Sequence, residues 1–142
     1  MQNSIIYDCT LVEFPINHKL NGNITAINNF IEVPFDIKRV YYLYDIPSGA
    51  ERGSHAHKDL KQLIVSLSGS FDVSVDDGNL KRTFNLNKPN VGLLLPSGLW
   101  RNLHNFSSGA ICLVLASMEY MESDYIRDYE AFLNFKKNLM QR

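Results

Sequence analysis

His55 and His57 lie one residue apart in the stretch Gly49-Ala-Glu-Arg-Gly-Ser-His-Ala-His-Lys-Asp-Leu-Lys-Gln62. Side chains on an extended strand alternate between faces, so the two imidazoles point the same way. An imidazole, with a reference pKa near ~6.5, either ligates a metal or takes and returns a proton near neutral pH. Two further residues bear on the choice. Gln62 is neutral and brings no carboxylate to offset a divalent charge. Arg101 is always cationic and has no lone pair to donate. The set is poorly suited to a metal. A base beside a fixed cation instead suits removal of a proton next to a carbonyl, with the cation facing the oxyanion of the enediolate. The same two histidines equally suit filling a barrel and binding a ligand, and spacing alone leaves both readings open.

Strands must hold these residues. From Leu63 every second residue is apolar or Gly: Leu63, Val65, Leu67, Gly69, Phe71, Val73, Val75. A period of two over this length is a strand pattern, and Gly69 divides it in two. Asp76-Asp-Gly-Asn79 is a hairpin signal, and Leu80 to Leu86 returns from it. Lys38 to Asp45 is rich in aromatic and β-branched residues. Val91–Leu95, Leu99–Phe106 and Ala110–Ser117 give three more strands between Gly-containing turns. Towards the N-terminus, Ser4 to Phe14 reads as a strand pair or a bent strand, Asn17 to Asn23 as a turn, and Ile24 to Ile31 as a short strand. At the other end, Tyr125, Ile126, Tyr129, Phe132 and Leu133 are spaced for one helix face, with Ser123 as cap and Lys136 and Lys137 at the negative end of the dipole. About ten short strands and one terminal helix predict an all-β jelly roll or barrel, as a single domain over residues 1–142.

The bulk numbers narrow the function classes. There are 14 Lys and Arg against 15 Asp and Glu, which gives no electrostatic case for nucleic acid or a membrane surface as partner. No apolar run approaches the ~20 residues of a membrane span. Cys9 and Cys112 sit far apart beside apolar residues and read as free buried thiols, so the cytoplasm is the expected compartment.

The histidine pair also sits inside a longer spacing pattern. Gly49, five residues, His55-Ala-His57, four residues, Gln62, six residues, Gly69 resembles the first motif of the cupin barrels. Pro96-Ser-Gly98, two residues, Arg101, three residues, Asn105 resembles the second. In metal-binding cupins the positions of Gln62 and Arg101 carry a glutamate and a third histidine. His104, three residues past Arg101, falls on the opposite strand face.

Several further stretches narrow the resemblance: Arg39-Val-Tyr-Tyr42, Arg52-Gly-Ser-His-Ala-His-Lys58, Asp76-Asp-Gly78, Val91-Gly-Leu93, Trp100, Phe106-Ser-Ser, Val114-Leu-Ala-Ser117 and Asp124-Tyr-Ile-Arg-Asp-Tyr129. Together they are similar to the WxcM-like cupins, and among these to the dTDP-4-dehydro-6-deoxyglucose 3,4-ketoisomerases, from about Lys38 to Lys136. The resemblance implies a cupin jelly roll with a C-terminal helix. It implies an enzyme of deoxyamino-sugar biosynthesis that moves the ketone of a dTDP-linked 4-keto-6-deoxyhexose from C4 to C3, without metal or cofactor. It implies His55 as the base at C3, His57 as its partner in proton delivery, and Arg39, Tyr41, Arg52, Lys58, Gln62, Trp100 and Arg101 as substrate-binding residues. A homodimer with exchanged N-terminal strands is implied as well. Family members vary at the Arg101 position and at the residue before Gly22, and also in the C4 configuration of the product; Asn21 matches neither variant. A non-catalytic nucleotide-sugar-binding cupin, or a related nucleotide-sugar epimerase, is the alternative.

Overall fold

The computed structural model describes residues 3–141. Its strands are β1 (Thr10–Glu13), β2 (Asn17–Lys19), β3 (Gly22–Ile24), β4 (Arg39–Leu43), β5 (Arg52–His57), β6 (Gln62–Ser68), β7 (Phe71–Asp76), β8 (Lys81–Leu86), β9 (Val91–Leu95), β10 (Trp100–His104), β11 (Ile111–Ala116) and β12 (Tyr125–Ile126), followed by the helix α1 (Tyr129–Met140). The long period-two run becomes β6 and β7, and Gly69 separates them at a φ of +68°, a conformation glycine adopts without a steric penalty.

Two five-stranded antiparallel sheets face each other, in the orders β1-β9-β6-β11-β4 and β12-β5-β10-β7-β8. Between them lies the main core, which includes Ile64, Phe71, Val73, Val75, Leu93, Leu103 and Val114. The alternation along β7 is the expected one, with Phe71, Val73 and Val75 fully buried. β6 departs from it: Gln62 through Ser66 are buried on both faces. The outer face of β6 is covered by Phe14, Val33 and Phe35 from the N-terminal segment, which pack on Leu63 and Val65. This arrangement of an all-β sandwich with one C-terminal helix is the cupin jelly roll. No helix among the described residues is long and apolar enough to cross a membrane.

The ends of the chain differ from the sequence expectations. Ile6–Asp8 forms a 3-10 turn, so residues 4–14 provide one short strand, β1, rather than a strand pair or one bent strand. The polar stretch expected as a turn is the hairpin β2–β3, and residues 25–31 are not a strand. β1 and β4 are the two edges of their sheet, pairing with β9 and β11, and residues 25–31 pair with neither.

The terminal helix starts at Tyr129, not near Ser123. Glu122–Asp124 makes a 3-10 turn, and Tyr125 and Ile126 pair with His57 and Ala56 on β5. The open edge of β5 offers backbone partners, and these win over the local helical spacing. Asp128 caps α1 instead, its carboxylate accepting from the Ala131 N–H at 2.9 Å. Phe132 is fully buried beneath α1 against Ala56 and Ile126, a burial worth about 1.5–3 kcal/mol. Lys136 does not serve the helix dipole at the surface; it is buried, and its Nζ donates to the carbonyls of Ser4 at 2.6 Å and Gly98 at 2.9 Å.

Candidate active site

β5 and β10 are neighbours in one sheet, and His55 is the cross-strand partner of Arg101. Both side chains point into the barrel. From the facing sheet, β4 contributes Arg39 and Tyr41, which share a strand face as their parity requires. These four residues, with Arg52, Tyr125 and Arg127, line a cavity of about 390 Å³. His57 lies behind His55, the ring centroids 4.9 Å apart and the planes nearly perpendicular. Tyr125 packs against both imidazoles, at 4.9 Å from His55 and 4.4 Å from His57.

Charge and hydrogen bonding give each group a distinct state. Burial, then the Arg101 cation, pushes the His55 pKa down to about 2. The same two causes, opposed by Asp124, bring His57 to about 4. Both rings are therefore neutral at physiological pH. The Tyr41 hydroxyl accepts from Gln62 Nε2 at 3.1 Å and from Arg101 Nη2 at 3.2 Å. With both lone pairs engaged, its own proton is free to donate to an oxygen in the cavity. Arg101 is 2% exposed, and no carboxylate among the described residues pairs with it. Six buried side-chain polar atoms among the described residues have no partner, and four of them belong to His55, His57, Gln62 and Arg101. Buried groups without partners are rare in folded proteins and concentrate where a ligand completes them.

The backbone makes room for Arg101 at one position. Gly53 has a φ of +70°, and a Cβ there would lie 2.3 Å from Arg101 Nη1 and 3.2 Å from its Cζ. Gly53→Ala is expected to cost about 1–2 kcal/mol of stability from backbone strain. It also pushes the guanidinium off Tyr41, with a turnover loss of about 10²-fold. Thermal melts together with steady-state rates check this, and wild-type turnover in the variant would contradict it.

Of the substrate-binding residues expected from sequence, Arg39, Tyr41, Arg52 and Arg101 come together at the cavity, with Gln62 behind Tyr41. Two do not. Trp100 precedes Arg101 and so faces the other side of β10, where it packs edge-on against Tyr129 and against Phe132 of α1. Lys58 lies in the turn after β5; it is not among the residues lining the cavity, and its backbone N–H donates to the Asp124 carbonyl. The site also includes residues the sequence reading missed. Arg39 donates to the Tyr125 hydroxyl at 3.3 Å and stacks on Tyr41 and Tyr120. Arg127 stacks on Tyr125 and forms a two-pronged pair with Glu122. Asp124 Oδ2 lies within hydrogen-bond distance of His57 Nδ1. Tyr125 and Arg127 share strand parity, which is the signal that would have found them had the segment been read as extended.

The donor set does not fit the metal that many cupins hold. Arg101 places a cation beside His55, and Gln62 turns its amide nitrogen to Tyr41. No group of three or more His, Cys, Asp or Glu suited to a metal occurs among the described residues. The fold and the site thus define a cupin that keeps two imidazoles of the ligand quartet and has an amide and a guanidinium in place of the other two ligands. Residues 7–137 match the family model described as FdtA: WxcM-like, C-terminal, and the chain belongs to that family.

Its relatives carry consistent descriptions. The chain is 47% identical over 116 residues, 82% of its length and 81% of the other, to a TDP-4-oxo-6-deoxy-alpha-D-glucose-3,4-oxoisomerase of Aneurinibacillus thermoaerophilus. A crystal structure of a histidine-to-asparagine mutant of the 3,4-ketoisomerase QdtA from Thermoanaerobacterium thermosaccharolyticum, in complex with TDP-4-keto-6-deoxyglucose, superposes with a TM-score of 0.91. Identity is 36%, covering 94% of this chain and 97% of that one. The WlaRB TDP-quinovose 3,4-ketoisomerase of Campylobacter jejuni gives 0.87 at 42% identity, covering 91% and 99%.

Proposed function

We propose that this protein is a sugar 3,4-ketoisomerase that converts TDP-4-keto-6-deoxyglucose to its 3-keto isomer. The relatives' descriptions and the site chemistry agree on this reaction. The observation that carries it is a buried His55 beside a buried Arg101 that lacks a carboxylate partner among the described residues. In this reading His55 takes the C3 proton, and the C3–H electron pair forms the C3–C4 double bond while negative charge moves onto O4. Arg101 and the Tyr41 hydroxyl stabilise that oxyanion. Protonation at C4 and loss of the O3 proton leave the ketone at C3. Arg52 and Arg39, at the cavity wall, suit the diphosphate, which guanidinium groups bind through paired hydrogen bonds. Trp100 and Lys58 have no role in it. Following the ketone carbon by ¹³C NMR during incubation tests the reading: the signal moves from C4 to C3, whereas binding without conversion would favour a nucleotide-sugar-binding cupin.

The working form in this proposal is a homodimer. β4 is the open edge of its sheet, and Val40, Tyr42 and Tyr44 are all exposed there. They line an apolar hollow of about 700 Å³ with Leu67 and Ile111. Because β1 pairs within the chain, the segment left to cross to a partner is the hairpin β2–β3 with its following loop, where Ile16, Leu20, Ile24, Phe30 and Ile31 are exposed. Sedimentation is expected to give a dimer that the pair Val40→Lys and Tyr42→Lys converts to monomer; a monomeric wild type would contradict this. Cys9 and Cys112 are free and buried, which suits the cytoplasm.

A further inference from the structure

Asp124 belongs to none of the steps above, yet it is nearly as buried as the core and lies against the site. It ends the 3-10 turn before β12, the strand that closes the edge of β5. Its Oδ2 lies 3.1 Å from His57 Nδ1. The carboxylate also accepts the Asp59 N–H at 2.8 Å and the Leu60 N–H at 3.3 Å. Both backbone contacts use it as an acceptor, and a carboxylate has only an acceptor to offer His57. His57 Nδ1 must then carry the proton. In a neutral ring this leaves Nε2 as a bare lone pair, and that atom is buried without a partner.

We infer that Asp124 is a positioning residue for the isomerisation, holding His57 in its Nδ1–H tautomer so that its buried Nε2 is a lone pair, not an N–H, in the ring that packs against His55. The inference rests on His55 being the base. When His55 takes the C3 proton it becomes an imidazolium in a pocket that already contains the Arg101 cation. A neighbouring ring with a free lone pair, backed by a carboxylate, favours that cation. The opposite tautomer presents another positive edge and disfavours it. The same carboxylate holds the turn after β5, so a tautomer effect has to be separated from a structural one.

Nitrogen-15 imidazole spectra of the substrate-free protein give the first readout, independent of activity. His57 is expected to show a protonated Nδ1 and an unprotonated Nε2; the reverse overturns the inference. Asp124→Asn, with its amide nitrogen in the place of Oδ2, keeps the acceptor for the Asp59 N–H, offers an N–H to His57 and gives up the longer contact from the Leu60 N–H. The tautomer should reverse and turnover should fall about 10²–10⁴-fold, with TDP affinity held within about threefold. An unchanged tautomer, or turnover within about threefold of wild type, overturns the inference. In a His57→Gln background Asp124→Asn should cost nothing further, since neighbours acting through one group are not additive. A full additional loss there means that Asp124 acts through the turn, which also overturns it. If the wild type has the stated tautomer but no turnover on TDP-4-keto-6-deoxyglucose, it is the ketoisomerase reading that falls.

Discussion

His55→Asn is expected to lower C3-proton exchange and product formation by about 10²–10⁴-fold, the range that a positioned base contributes. Asparagine fits the space of the imidazole and keeps polar atoms in the cavity, but it cannot take a proton. Since His55 sits beside Arg101, while Arg39 and Arg52 provide the other cationic wall, the diphosphate end of the substrate should be undisturbed. TDP affinity by calorimetry should stay within about threefold while turnover collapses. A variant that still exchanges the C3 proton at the wild-type rate would remove His55 from the role of base and leave it as lining.

Arg101→Met should separate activity from stability. The guanidinium is almost fully buried, and no described carboxylate balances it. A charge so placed is a cost to folding, and an apolar side chain of similar length should leave stability equal or raise it. The melting temperature is expected to hold or rise. Turnover should fall about 10²–10³-fold, because the oxyanion loses its cation. The variant should also change the pH profile. Arg101 is the second cause, after burial, of the low His55 pKa, so removing it moves that pKa up from about 2. A base is lost when it is protonated, so a higher pKa brings the acid fall in kcat/KM to higher pH. In the wild type His55 should not titrate between about pH 5 and 9. Measured rates, melts and ¹⁵N titrations check the three parts. A variant with wild-type turnover, or with a His55 pKa no higher than before, would contradict the account.

The function of Arg101 makes sense of this trade. A cation whose hydrogen-bond partner among the described residues is the Tyr41 hydroxyl is unsatisfied until negative charge develops nearby. Catalysis gains from such preorganisation, because the dipoles and charges need not move when the oxyanion forms. The same logic explains Gly53, which admits the guanidinium where any other residue would place a Cβ.

What could be read from the sequence follows the range of the interactions. β6, β7 and β8 were visible because their alternation and the Gly69 and Asp76–Asn79 turns are local. The shared face of His55 and His57, and that of Arg39 and Tyr41, followed from parity along a single strand. The departures at Gln62 and Arg101 also followed, since they are residue identities at fixed spacing. The segment from Glu122 to Asp128 was not visible. Its apolar spacing fits a helix, and only the pairing of Tyr125 with His57, a contact between distant parts of the chain, makes it extended. That misreading hid Tyr125, Arg127 and Asp124 together. Trp100 was expected at the site from the resemblance alone, whereas it adjoins Arg101 on β10, and adjacent residues on a strand face opposite ways. The N-terminal segment carries several apolar residues that are exposed, so no buried face among the described residues organises their pattern.

The central claim is that one protein base removes the C3 proton of a 4-keto sugar nucleotide and that a proton returns at C4. The direct test is wild-type enzyme with TDP-4-keto-6-deoxyglucose in D₂O, followed by NMR. The account predicts loss of the C3 proton signal, deuterium at C3 of recovered substrate, and a 3-keto product labelled at C4. Saturable binding of the sugar nucleotide with the C3 proton retained and no ketone at C3 would contradict it.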